Sequence, residues 1–297
     1  MKTRRQWLSS VLLTACGTIL ARHTAFAQPV RGSSLQDQLA QIEAESGGRL
    51  GLAMLDSVTG MKESYKADER FPMCSTSKVL AVGAVLKRVD QRQEQLDRRI
   101  PIEKADILKY APVTKEHVGA SGMTIAELCA AAITLSDNTA ANLLIATLGG
   151  PSGVTSFARA IGDPITRLDR TEPTLNEALP SDPRDTTSPR AMAHNLQKLV
   201  FGTVLPNSSR ALLKDWLVNC KTGDKKIRAG LPPDCTVGDK TGSGEHNTAN
   251  DIAIIWPPDR SPFLLAIYLT GSQLNSADER SSIIAKATRV CWVSLTQ

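Results

Sequence analysis

The sequence predicts an α+β fold: an antiparallel five-stranded sheet built from both ends of the chain, flanked by helices, with an inserted all-helical lobe. Three observations carry this reading. Strand-like runs cluster at the two ends, at 49–58 and 61–66 and then at 235–241, 251–256 and 263–270. From Ser75 to about Gly202 the pattern is mainly helical. The last strands are separated by only a few turn residues, which implies hairpins and antiparallel pairing.

In chain order, the first 27 residues read as an export signal. Lys2, Arg4 and Arg5 form its charged start, residues 7–21 its mostly apolar middle, and Ala25-Phe26-Ala27 an Ala-x-Ala cleavage site before Gln28. Thr3-Arg4-Arg5-Gln6-Trp7-Leu8 resembles a twin-arginine signal. Leu13-Thr14-Ala15-Cys16 resembles a lipoprotein box, the rival cleavage site, but the apolar run after it does not suit a linker. Lys2, Arg4, Arg5 and Arg22 supply four of the formal +5 charges, so residues 28–297 carry +1. That balance gives no support for nucleic-acid binding. No later apolar run is long enough to span a bilayer, so the expectation is a periplasmic protein, monomeric and free of the membrane after cleavage.

Residues 28–297 read as one catalytic domain, with an α/β part at 28–70 plus 219–297 and a helical lobe at 71–218. A hydrophobic content of 41% supports a sizeable core without staples. Leu35, Leu39 and Ile42 share one face of a helix at 35–45, and Thr59-Gly60 turns the first strand into the second. A helix at 124–135 starts on Thr124, with Glu127 three residues on as a capping box. Another at 139–148 is stopped by Gly149-Gly150-Pro151. A non-periodic stretch at 167–189 holds four prolines; a loop that long in a compact domain is functional or disordered. Helices follow at 190–199, 208–219 and 277–295. Cys74, Cys129, Cys220, Cys235 and Cys291 remain after cleavage, an odd number that cannot form a complete disulfide framework. His117, His194 and His246 lack metal-ligand spacing, so no metal or cofactor is expected.

The chemistry begins at Ser75-x-x-Lys78, at the start of a buried apolar helix. Residues three apart share a helix face, so hydroxyl and amine stand together, and a serine becomes a nucleophile once a neighbouring base takes its proton. Alone, this spacing arises by chance, and a Ser/Thr cluster is also a common helix cap. Four downstream elements give it weight. Ser136-Asp137-Asn138 offers a proton shuttle and an amide for a substrate carbonyl, or else a cap. Glu172 and Asn176 are a carboxylate and an amide able to hold one water against an acyl ester. Arg170 and Asp185 can clamp that loop. Lys240-Thr241-Gly242 offers a cation and a hydroxyl for a substrate carboxylate, with Gly242 letting a ligand approach the backbone. The N–H groups of Ser243 and Ser75 suit an oxyanion hole.

These motifs, in this order and over essentially the whole mature chain, resemble the class A serine β-lactamases. The resemblance implies hydrolysis of the β-lactam amide of penicillins and cephalosporins through an acyl-enzyme, with β-lactams as small-molecule partners. It implies Ser75 as nucleophile, Lys78 in the proton relay, Ser136 in leaving-group protonation, Glu172 in deacylation, and Tyr110 as an aromatic wall at the site mouth. Some features depart from the family pattern. Val82 stands where many relatives place the disulfide partner of Cys129, and Gly244 where several carbapenem-hydrolysing relatives pair a cysteine with the one before the nucleophile, here Cys74. The arginine many penicillinases carry on the next strand is missing from Asn247-Thr248-Ala249, which leaves Lys226 or Arg280 to replace it. The proline-rich loop and Ser243 look like those of extended-spectrum cephalosporin hydrolysers. A D-Ala-D-Ala peptidase shares two of the motifs, but Glu172 and Asn176 argue against it; a penicillin sensor would be tied to a membrane segment.

Overall fold

The computed structural model describes residues 34–296. The expected export signal, its cleavage after Ala27 and lipidation at Cys16 lie outside the described residues. Helix α1 (Leu35–Ser46) starts on a capping box, in which Ser34 Oγ accepts from the Asp37 N–H and the Asp37 carboxylate accepts from the Ser34 N–H, both at 3.1 Å. It ends on Gly47, whose φ of 62° is the left-handed conformation that glycine adopts without penalty. Strands β1 (Arg49–Asp56) and β2 (Gly60–Tyr65) form the first hairpin. After the two-residue strand β3 (Phe71–Pro72) a 3₁₀ turn, Cys74–Ser77, leads into α2 (Lys78–Asp90).

The lobe continues with β4 (Arg99–Ile102), β5 (Gly119–Thr124), α3 (Ile125–Thr134), α4 (Asn138–Thr147) and α5 (Pro151–Ala160). Then come β6 (Thr186–Thr187), α6 (Pro189–Val200) and α7 (Asn207–Val218). Strands β7 (Thr236–Gly244), β8 (Thr248–Trp256) and β9 (Phe263–Thr270) and helix α8 (Ala277–Thr296) complete the chain. The main sheet has the order β2-β1-β9-β8-β7, antiparallel throughout, so both ends of the chain contribute to it as predicted.

Both faces of that sheet are covered, which is why its inner strands β1 and β9 read as nearly continuous apolar runs. Side chains still alternate. Leu50, Leu52 and Met54 with Leu265, Ile267 and Leu269 face α1 and α8, through Leu39, Ile42, Ile283, Ile284 and Ala287. Ala53 and Leu55 with Leu264, Ala266 and Tyr268 join the second core, which runs through Met192 and Leu196 of α6 to Val79, Leu80 and Val82 of α2. Burying each leucine or isoleucine fully contributes about 1.5–3 kcal/mol. Gly51 lies against Phe71 so closely that a Cβ there would come within 2.4 Å of the ring.

Helix α2 is buried from Lys78 to Leu86 and is wrapped by α3, α4, α5 and α7, as a helix apolar on all sides must be. The Thr124–Glu127 capping box is present. Two elements differ from the sequence reading. Gly149-Gly150-Pro151 ends α4 but also starts α5, with Pro151 at the first helical position, where its missing N–H costs nothing. The β4–β5 hairpin pairs segments of weak strand propensity, Gly-Ala-Ser-Gly in β5, and depends on tertiary contact. All five described cysteines are free, in accord with Val82 opposite Cys129.

Candidate active site

The 3₁₀ turn puts Ser75 at the entry to α2, one turn ahead of Lys78. The Thr76 and Ser77 hydroxyls donate to the Met73 and Cys74 carbonyls at 2.8 and 2.9 Å. The Asn250 amide, on β8, donates to the Pro72 and Met73 carbonyls at 2.9 and 3.1 Å. Cys74 and Ser136 both hold positive φ, 48° and 58°, conformations that a non-glycine residue keeps only where its surroundings enforce them. The nucleophile is thus presented by a backbone pinned from the sheet side.

Lys78 is buried, and its ammonium is surrounded by acceptors. It donates to the Ser136 carbonyl at 2.8 Å and to Asn138 Oδ1 at 2.7 Å, pairs with Glu172 Oε1 at 3.0 Å, and lies 3.3 Å from Ser136 Oγ. Burial, opposed by the charge of Glu172, pulls its pKa below the usual lysine value. Lys240, on β7, donates to Ser136 Oγ and to the Thr241 carbonyl, each at 2.9 Å. Burial first, then the charge of Lys78, lowers the Lys240 pKa to about 8. Ser136 Oγ therefore sits between two amines of reduced basicity, where a proton can be passed in either direction.

Glu172 is buried in the 167–189 loop and uses its two oxygens differently. Oε1 accepts from Ser75 Oγ at 3.2 Å and meets Lys78, whereas Oε2 accepts from the Asn176 amide. Asn176 Oδ1 is buried without a protein partner among the described residues. The backbone of Glu172 is held at both ends by Asn142 of α4: its N–H donates to Oδ1 and its carbonyl accepts from Nδ2, both at 2.9 Å. The Glu172–Pro173 peptide is cis. Arg170 and Asp185 pair at 2.6 Å as expected, and Arg170 also bonds Glu177. Asp185 Oδ1 accepts from the N–H groups of Asp169 and Arg170 at 2.7 and 2.9 Å, tying the loop's two ends together.

These groups open onto a groove of about 630 Å³, lined by Ser75, Ser136, Asn138, Asn176 and the Thr241–Gly244 edge of β7, with Tyr110 half-exposed on its wall. The β-lactamase enzyme family matches residues 34–295, the strands and helices just described. The chain belongs to the class A β-lactamase family. It is 49% identical over 281 residues to β-lactamase CTX-M-8 of Citrobacter amalonaticus, covering 94% of this chain and 95% of that one. It is 48% identical to β-lactamase Toho-1 of Escherichia coli, again covering 94% and 95%. Among solved structures, the class A β-lactamase of the last common ancestor of Gram-negative bacteria superposes with a TM-score of 0.87 at 59% identity, over 89% of this chain and all of that one. The protein is thus a β-lactam hydrolase.

Within this β-lactamase several sequence readings change. Gly242 lines the groove, but a Cβ there would come within 2.8 Å of the Met73 carbonyl oxygen. Its bareness lets β7 pack on the nucleophile turn. A Cβ at Gly244 would likewise strike Cys74 Sγ and the Asn176 carbonyl, both at 2.7 Å. Lys226 borders the groove, yet its buried ammonium donates to the Asn250 and Gly242 carbonyls at 3.0 and 3.3 Å. Burial lowers its pKa against the charge of Asp251. Arg280 also lines the groove and is held through Nη1 by Asn247 Oδ1 and the Leu274 and Asn275 carbonyls.

Asp137 accepts from the N–H groups of Val113, Thr114 and Ala140 at 2.9 Å, so within Ser-Asp-Asn it braces the turn. Thr241 Oγ1 shares a 2.6 Å hydrogen bond with Thr222, and Ser243 stands exposed at the groove edge. Asn142 and Asn250 escaped the sequence reading. Their signal is an amide inside an apolar helix or strand, where it requires a polar partner.

Proposed function

We propose that Ser75 attacks the β-lactam carbonyl and that Glu172 drives both halves of the reaction. The observation that carries this is Glu172 Oε1, which meets both Ser75 Oγ and Lys78 Nζ while Oε2 meets Asn176. In acylation the Ser75 proton passes to Glu172, the Ser75 oxygen bonds the carbonyl carbon, and the ring C–N bond breaks. The departing nitrogen takes a proton from Ser136, which recovers one from Lys78 or Lys240. Glu172 then returns its proton to Lys78 at 3.0 Å, which restores the amines directly or through Ser136 Oγ and leaves Glu172 a carboxylate again. In deacylation a water oriented by Glu172 and Asn176 attacks the ester and gives its proton to Glu172, which hands it to Ser75 Oγ as the ester C–O bond breaks.

The N–H groups of Ser75 and Ser243 act as the oxyanion hole. Asn138 Nδ2 is the donor for the substrate's side-chain amide carbonyl, since Oδ1 is engaged by Lys78. Lys240 and Thr241 take the ring carboxylate. Arg280, only partly buried and engaged through Nη1, supports them better than Lys226, whose single ammonium is buried against two carbonyls. The Glu172–Asn176 pair favours hydrolysis over peptidase chemistry. The residue 1–27 pattern supports release into the periplasm, and periplasmic protein whose intact mass begins at Gln28 is the expected outcome. The central test is turnover of a chromogenic cephalosporin by the purified protein and its abolition in Ser75→Ala; an active Ser75→Ala variant overturns the assignment.

A further inference from the structure

One wall of the groove is built by the 221–226 loop and the first turns of α8. Lys225 Nζ donates to both carboxylate oxygens of Asp278 at 2.9 Å, joining the two segments. Both side chains are about 70% exposed, at 69% and 71%, and both line the groove. The same lining holds the cations Lys221, Lys226 and Arg280, whereas Asp224 and Asp278 are its acids among the described residues. Asp278 therefore puts a negative charge two residues from Arg280 on a wall where cations outnumber acids, and Lys225 masks it.

We propose that Asp278 is a specificity-determining residue that reads the charge of a cephalosporin's 3-substituent, with Lys225 as its exchangeable counter-ion. The inference rests on the groove being the β-lactam site and on its carboxylate lying against Lys240, Thr241 and Arg280. In a cephalosporin the ring carbon bearing the carboxylate is bonded directly to the carbon bearing the 3-substituent. Holding the one brings the other to the same wall, where Asp278 precedes Arg280 by two residues. An exposed ion pair contributes little stability, so a cationic substituent can replace the Lys225 ammonium on Asp278 at small cost, charge for charge. An uncharged substituent leaves the pair closed. Masking by Lys225 keeps Asp278 from repelling the ring carboxylate that every substrate carries.

The two partners should act in opposite directions. The probes are two cephalosporins with the same 7-side chain, one carrying a pyridinium at the 3-position and the other a neutral acetoxymethyl group. The readout is the ratio of their kcat/KM values. Removing Asp278 charge by Asp278→Asn should lower the cationic-to-neutral ratio by about two- to fivefold, the scale of one exposed charge pair. Lys225→Ala, which unmasks Asp278, should raise it by a similar factor, and the double variant should follow Asp278→Asn. All shifts should shrink in high salt, because the charges are exposed. An unmoved ratio, or a ratio that moves the same way in both single variants, overturns the inference while turnover of the neutral probe leaves the functional reading intact. A wild-type protein that opens neither ring overturns both.

Discussion

Glu172→Gln tests the centre of the mechanism, because it keeps the side-chain shape and removes one charge. The carboxylate has three contacts: Ser75 Oγ at 3.2 Å, Lys78 Nζ at 3.0 Å and the Asn176 amide. The variant lacks a basic oxygen for the hydrolytic water, and loss of a general base costs roughly 10²–10⁴ in rate, or about 2.7–5.5 kcal/mol of barrier. Acylation should suffer less. The charge of Glu172 raises the Lys78 pKa, so its removal pushes Lys78 further towards the neutral amine, a base that still stands beside Ser136 and one turn from Ser75. Deacylation has no such replacement, since the buried Asn176 Oδ1 is an amide oxygen. Rapid mixing with a penicillin should therefore give a stoichiometric burst followed by slow turnover. Intact-protein and peptide mass spectrometry should place a persistent adduct on Ser75. Normal turnover, or slow turnover with no adduct under acylating conditions, refutes the reasoning.

Three further outcomes follow from the geometry. Asp185→Asn removes the charge facing Arg170 while leaving an oxygen for the two backbone N–H groups; with Glu177 still bonded to Arg170, the loss should be about 1–3 kcal/mol, several degrees in Tm, with bulky cephalosporins gaining relative to penicillins. An unchanged Tm together with an unchanged substrate profile would rule out the clamp. Lys240, with a pKa of about 8, should lose its charge as pH rises through that value, so KM for carboxylate-bearing substrates should climb above about pH 8. Because this pKa is depressed from the unfolded lysine value, the same group adds stability as pH rises from about 8 towards about 10.4, opposite in sign to its effect on KM. A KM profile flat to pH 9.5 would contradict the assignment, and Lys240→Arg should abolish the rise. Arg280→Ala should cost about 10–100-fold in kcat/KM, as for one charge-assisted hydrogen bond, whereas Lys226→Ala should act mainly on Tm by freeing two buried carbonyls. The reverse pattern would restore Lys226 as the carboxylate partner.

Local chemistry was legible in the sequence. The Thr124–Glu127 box, the 3.6-residue pattern after Ser75 and the short links between the last strands act over a turn or a hairpin, and they placed those elements within a few residues. The motif order likewise named Ser75, Lys78, Ser136 and Glu172, since each motif is a short run of residue types. Tertiary structure decided what lay between distant segments. Ser136 lies 58 residues from Lys78 and 104 from Lys240, and nothing local says that both amines reach its hydroxyl. Asn142 and Asn250 carry a local signal as amides among apolar residues, but the carbonyls and N–H groups they hold lie 30 and about 178 residues away, where only the tertiary fold brings them. Nothing local to Gly242 says that the Met73 carbonyl lies where its Cβ would be. Lys226 and Arg280 were equivalent as cations in a string of letters; burial against two carbonyls separated them, because a charge's availability is set by what surrounds it in space.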